Sequence, residues 1–329
     1  MSSVNRKSFN PGAESVSDDQ MRKAMEQVKW QTVQVHISKD DLKENFKFLN
    51  DAVVVRGGRE GVPYLSTTGI FGPINPGSRV KLTPGEGTGV AVLDNDPKDS
   101  SLIKELQDLF KNTTTVDDDC AATVNARWLS AKDGGAIPDL GNSSNVFGQT
   151  GSLFVNESAV SLPVLDPLDE RYAKTLAYYG ARLLKPKEEF TLGFDAPLFG
   201  MEYDTKLPEY LTGYVNQPYG GGGLFVEFHP FPHIWLPRPN DGSTSFTQSK
   251  ITLGREASIS TREKPVFHFT SFRVPSDGTA LALMPNSIHN DSYTNGPQTV
   301  FLANTPADTV AWRETAAFTS ILLTDVTFS

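Results

Sequence analysis

The sequence predicts a mostly β protein, an antiparallel barrel or sandwich with a few short helices. Its 329 residues hold 27 Gly and 22 Pro against 20 Phe and 9 Tyr, a composition suited to many short strands joined by tight turns. Short β-type runs recur between turn clusters, and few segments carry helical spacing.

Taken in order, Val16, Met21, Ala24, Met25 and Val28 fall at helical spacing after the capping candidates Ser17 and Asp18, predicting a helix over 16–30. Strands are expected at 32–38 (TVQVHIS), 52–56 (AVVVR) and 89–94 (GVAVLD), separated by the turns GPINPGS and TPGEG. Leu102, Ile103, Leu106, Leu109 and Phe110 form one stripe, predicting a second helix over 99–111. The glycine-rich stretch 131–152 reads as a long connection. The boundary between halves is expected in 131–170, giving an N-terminal β-rich region with two helices (1–150) and a C-terminal barrel (151–329). In 169–185, Tyr172, Leu176, Tyr179 and Leu183 recur at helical spacing, but Gly180 interrupts them. Beyond 185 the pattern is strand and turn.

A net charge of −9 with no basic stripe argues against nucleic acid as a partner. No apolar run is long enough to span a membrane, and the polar N-terminus MSSVNRKSFNPG lacks the apolar core of a signal peptide, so the expected location is cytoplasmic. Cys120 is the single cysteine, which excludes an intrachain disulfide and a thiolate metal cluster.

The functional signal is histidine clustering. Of five histidines, His229, His233, His268 and His289 lie close together near the C-terminus. In a strand over 224–229, period two points Phe225, Glu227 and His229 to one face. Pro230 and Pro232 then break the ladder and can swing His233 toward the same pocket. Glu227, His229, His233 and His289 are the candidate metal ligands, of types that suit Zn, Fe, Mn or Ni. His268 and Arg273 are the candidate catalytic residues, His268 as acid or base and Arg273 as a fork for a substrate carboxylate. They alternate on one strand, so only one of them can enter the pocket. Trp235, Phe225 and Tyr219 could wall the cavity. The competing reading of each histidine is an ordinary hydrogen-bonded core residue.

These residues resemble the two motifs of the cupin superfamily. Gly221, five residues, Glu227-Phe228-His229, three residues and His233 follow the first motif's spacing, with Glu and His exchanged at the outer positions. Gly278, Pro285, Ser287 and His289 follow the second, with His289 one residue early. The resemblance implies a jelly-roll barrel, duplicated if the N-terminal half is a second barrel, whose motifs line the barrel and hold a divalent metal. It implies a metal-dependent lyase, isomerase or hydrolase acting on a small-molecule substrate. An Fe(II) dioxygenase and a non-catalytic binding or storage barrel are the alternatives. It leaves room for a homodimer.

Overall fold

The computed structural model describes residues 65–74, 91–94, 100–137, 150–185, 188–196, 198–205, 225–237, 249–275, 279–291, 294, 296–315 and 317–326. The expected helix at 16–30 and strands at 32–38 and 52–56 lie outside these residues, as do Tyr219 and the motif glycines Gly221 and Gly278.

Two α-helices are described, α1 (Ser101–Asn112) and α2 (Ala173–Tyr178). The Ser100 side chain accepts from the Ile103 N–H at the start of α1, and the stripe read from the sequence buries Leu102 and Leu106. The stretch 169–185, where Gly180 is expected to interrupt the helical spacing, is a 3-10 turn at Glu170–Tyr172, then α2, then a strand that begins after Gly180. Gly180 explains the break: its φ is +70°, and a Cβ there would meet the Met284 side chain at 2.7 Å. Among the described residues no helix is long and apolar enough to cross a membrane.

The strands are β1 (Leu65–Ile74), β2 (Ala91–Asp94), β3 (Ala122–Leu129), β4 (Thr150–Val155), β5 (Ala159–Leu165), β6 (Ala181–Leu184), β7 (Glu189–Thr191), β8 (Leu198–Thr205) and β9 (Phe225–Phe228). They continue with β10 (His233–Pro237), β11 (Lys250–Glu256), β12 (Val266–Arg273), β13 (Ala280–Leu283), β14 (Ile288–Asn290), β15 (Gly296–Ala303), β16 (Asp308–Glu314), β17 (Ala317–Phe318) and β18 (Ser320–Asp325).

One sheet runs β11-β14-β9-β16-β4-β3-β12, and β11 also pairs with β12, so these seven strands close into a barrel. β5 and β18 extend from β12, and a separate six-stranded sheet runs β1-β8-β15-β10-β13-β6. Most pairings are antiparallel, as expected, but β4–β16, β5–β12, β5–β18 and β2–β7 are parallel. The barrel takes β3 from before residue 150, and the six-stranded sheet takes β1, so each sheet draws strands from both sides of the expected boundary.

Residues paired across strands share a face. One face of the barrel strands brings Val124, Ala126, Leu153, Val155, Val226, Phe267, Phe269, Val310 and Trp312 into a single cluster. Phe269 on β12 and Trp312 on β16, strands that are not neighbours, approach to 4.5 Å between ring centroids. This face is therefore the barrel interior, and it is filled. Gly254 on β11 leaves the space for Phe269, whose ring a Cβ would meet at 2.4 Å. The larger core lies on the opposite face, where Ile251, Leu253 and Phe272 pack with Trp235, Leu281, Val300 and Phe301 of the six-stranded sheet.

Candidate metal centre

The candidate ligands come from two sheets and the connection between them. His289 lies on β14, in register with Leu253 of β11 on one side and Glu227 of β9 on the other. Its neighbour Ile288 packs against the interior cluster, so His289 points outward, toward the six-stranded sheet. His229 follows the last residue of β9. Pro230, Phe231 and Pro232 then carry the chain out of the barrel, and His233 opens β10 in the other sheet. The proline kink thus turns His233 back onto His229 by changing sheets. The centre sits between the two sheets, a correction to the expectation of a site lining the barrel. The physical reason is that Phe267, Phe269 and Trp312 already occupy the interior.

His229, His233 and His289 are all buried, at 3%, 7% and 1% exposure, and offer ligand atoms within 4.8 Å of one another. Their ring centroids lie 4.8–5.1 Å apart and each pair is edge to face. His229 stacks on Phe231 at 3.5 Å, and Trp235 lies 3.9 Å from His233 and 5.6 Å from His289.

Each imidazole is oriented by a backbone carbonyl. Nδ1 of His229 bonds Phe231 O at 3.0 Å, Nδ1 of His233 bonds Phe301 O at 2.9 Å, and Nδ1 of His289 bonds Ser287 O at 2.9 Å. A carbonyl only accepts, so each Nδ1 carries the proton and each Nε2 is left with a lone pair. This is the orientation that metal-binding histidines take. Nε2 of His289 is buried and has no hydrogen-bond partner among the described residues. Burial, and then the neighbouring His289 and His233, hold the His229 imidazole well below its ordinary pKa of 6.5, in the neutral form a ligand requires. A tetrahedral ion at about 2.0–2.1 Å from each nitrogen needs them roughly 3.3 Å apart.

Glu227 stands beside the three histidines and outside the group whose ligand atoms share the 4.8 Å limit. Its Oε1 lies 3.9 Å from His289 Nε2, its Oε2 accepts from Thr309 Oγ1 at 2.9 Å, and its side chain is 18% exposed. Asp291 is buried nearby, and its charge favours the protonated form of His229.

The other candidates have partners elsewhere. His268 points to the same face of β12 as Thr270, but Thr270 is the residue level with His289, through Leu253 of β11. His268 is therefore two strands across and two residues along from His289, roughly 12 Å by strand spacing. Its Nδ1 bonds Tyr178 OH at 2.8 Å. Arg273 ion-pairs with Asp325 at 2.8 Å, with its side chain 42% exposed. Trp235 walls the centre as expected, whereas Phe225 packs with Ile137 and Ala311. Sequence reasoning missed Thr309 and the three carbonyls that orient the imidazoles. Backbone acceptors leave no trace in residue types.

No family model matches the chain, and no curated protein or solved structure matches it significantly.

Proposed function

We propose that the protein binds one divalent transition metal, such as Zn, Fe, Mn or Ni, through His229, His233 and His289, and uses it as an enzyme on a small polar metabolite. One observation carries the reading. Three buried imidazoles, each with Nδ1 held by a backbone carbonyl, converge with their ligand atoms within 4.8 Å of one another, an arrangement that suits a divalent cation. The bound ion would supply Lewis-acid polarisation of a substrate carbonyl or hydroxyl. Glu227, tethered through Oε2 to Thr309 and partly open to solvent, would hold or move a proton at Oε1.

The resemblance to the cupin motifs supports the same histidine set and a lyase, isomerase or hydrolase reaction. An Fe(II) dioxygenase would use the same ligands, and metal identity with oxygen uptake separates the two. The depth of the histidines favours a second reading, a non-catalytic barrel in which the ion is structural. Metal analysis of protein purified without a His-tag tests the shared claim. His229→Ala should abolish binding and His268→Ala should leave it intact; full occupancy in His229→Ala would refute the assignment.

A further inference from the structure

Trp235 is fully buried on β10, and its indole Nε1 has no hydrogen-bond partner among the described residues. An indole N–H can only donate, and burying it without an acceptor is costly. Its ring packs against His233 and lies 5.6 Å from that of His289, at 71°. Nε2 of His289 has the opposite need. With Nδ1 given to Ser287 O it can only accept, and it too is buried with no hydrogen-bond partner among the described residues, Glu227 Oε1 standing off at 3.9 Å.

A lone donor and a lone acceptor on adjacent rings are not both satisfied by a bare cation, which offers the indole nothing. A bare anion would in turn offer His289 no acid. A cation that carries an oxygen ligand satisfies both. Three neutral imidazoles leave the charge of a divalent ion uncompensated, which favours an anionic oxygen. Glu227 and the buried Asp291 already bring negative charge to the surroundings, which favours a monoanion over a dianion.

We propose that Trp235 is a ligand-positioning residue whose indole N–H donates to an oxygen of a small monocarboxylate seated on the metal ion. This rests on the metal reading above and names the ligand class for that centre.

The test uses the full chain loaded with zinc, its four tryptophans labelled with 15N at the indole, and acetate as the probe. One indole resonance, missing from Trp235→Phe, should shift as acetate is added, and only in the metal-loaded protein. In cobalt-loaded protein, where the visible spectrum reports acetate binding, Trp235→Phe should bind acetate about tenfold more weakly at unchanged metal content. Acetate that binds the ion with every indole resonance unmoved, or with equal affinity in Trp235→Phe, would overturn the proposal while leaving the metal centre standing. Failure of acetate to bind the loaded protein would do the same. A chain that takes up no metal would overturn both. Even if Trp235→Phe does not fold, acetate that binds the loaded unsubstituted protein with every indole resonance unmoved overturns the proposal.

Discussion

His289→Leu separates a metal-binding histidine from a structural one through stability alone. In the metal-free protein the substitution removes a buried lone pair that has no partner, which relieves about 1–3 kcal/mol. It also removes the bond from Nδ1 to Ser287 O and strands that carbonyl, a cost of similar size. The two nearly cancel, so metal-free His289→Leu should unfold within about 1 kcal/mol of the unsubstituted protein. With metal the outcome differs. At a free concentration one hundred times Kd, an ion that binds only the folded state stabilises by about 2.7 kcal/mol. Loss of one of three imidazoles should raise Kd at least about 100-fold, which leaves roughly 0.4 kcal/mol of that gain. Urea unfolding of both proteins, with zinc and with chelator, reads all four values, and the gap should collapse only in the variant. A His289→Leu protein that keeps its metal-induced stabilisation, or that loses more than about 3 kcal/mol without metal, would refute the reasoning.

The folded state holds His229 neutral well below its ordinary pKa, so metal-free stability is complete above pH 6.5. It should fall by about 1.4 kcal/mol per pH unit below that, as the unfolded chain takes up a proton the folded chain refuses. A urea midpoint that does not fall between pH 6.5 and 5 would contradict this. Arg255 donates through Nη1 to the carbonyls of Phe110, Thr113 and Tyr178 and stacks on Phe110, closing the C-terminus of α1. Arg255→Ala should cost about 3 kcal/mol in urea unfolding, and a cost below about 1 kcal/mol would show that the helix end is held otherwise. Phe269→Ala should empty the middle of the barrel and cost about 3–5 kcal/mol without changing metal content. Loss of metal on that change would place the centre inside the barrel after all.

The parts legible in the sequence are those written in local patterns. The apolar stripe of α1, the break at Gly180 and the turn at Pro230–Pro232 each follow from a few neighbouring residues. The convergence of His229, His233 and His289 was legible as a clustering of rare residue types. Barrel closure was not, because it rests on registers that no short pattern encodes, among them those of β3 with β12, β9 with β16 and β11 with β12. The same register explains His268. Its spacing suits the candidate face, yet the alignment of β12 against β11 sets Thr270 level with His289 and carries His268 to Tyr178. Period two put Glu227 and His229 on a shared face. It could not show that the chain leaves the barrel at His229, so that imidazole joins His233 while the carboxylate is held by Thr309.

The most direct test of the metal centre is stoichiometry. Protein purified without a His-tag, stripped with chelator, reloaded with zinc and freed of excess ion should retain one ion per chain by mass spectrometry of the elements. His229→Ala, His233→Ala and His289→Ala should each retain almost none, and His268→Ala should retain the full complement. A native chain that retains no ion after loading would contradict the account, and the three histidines would then be core residues alone.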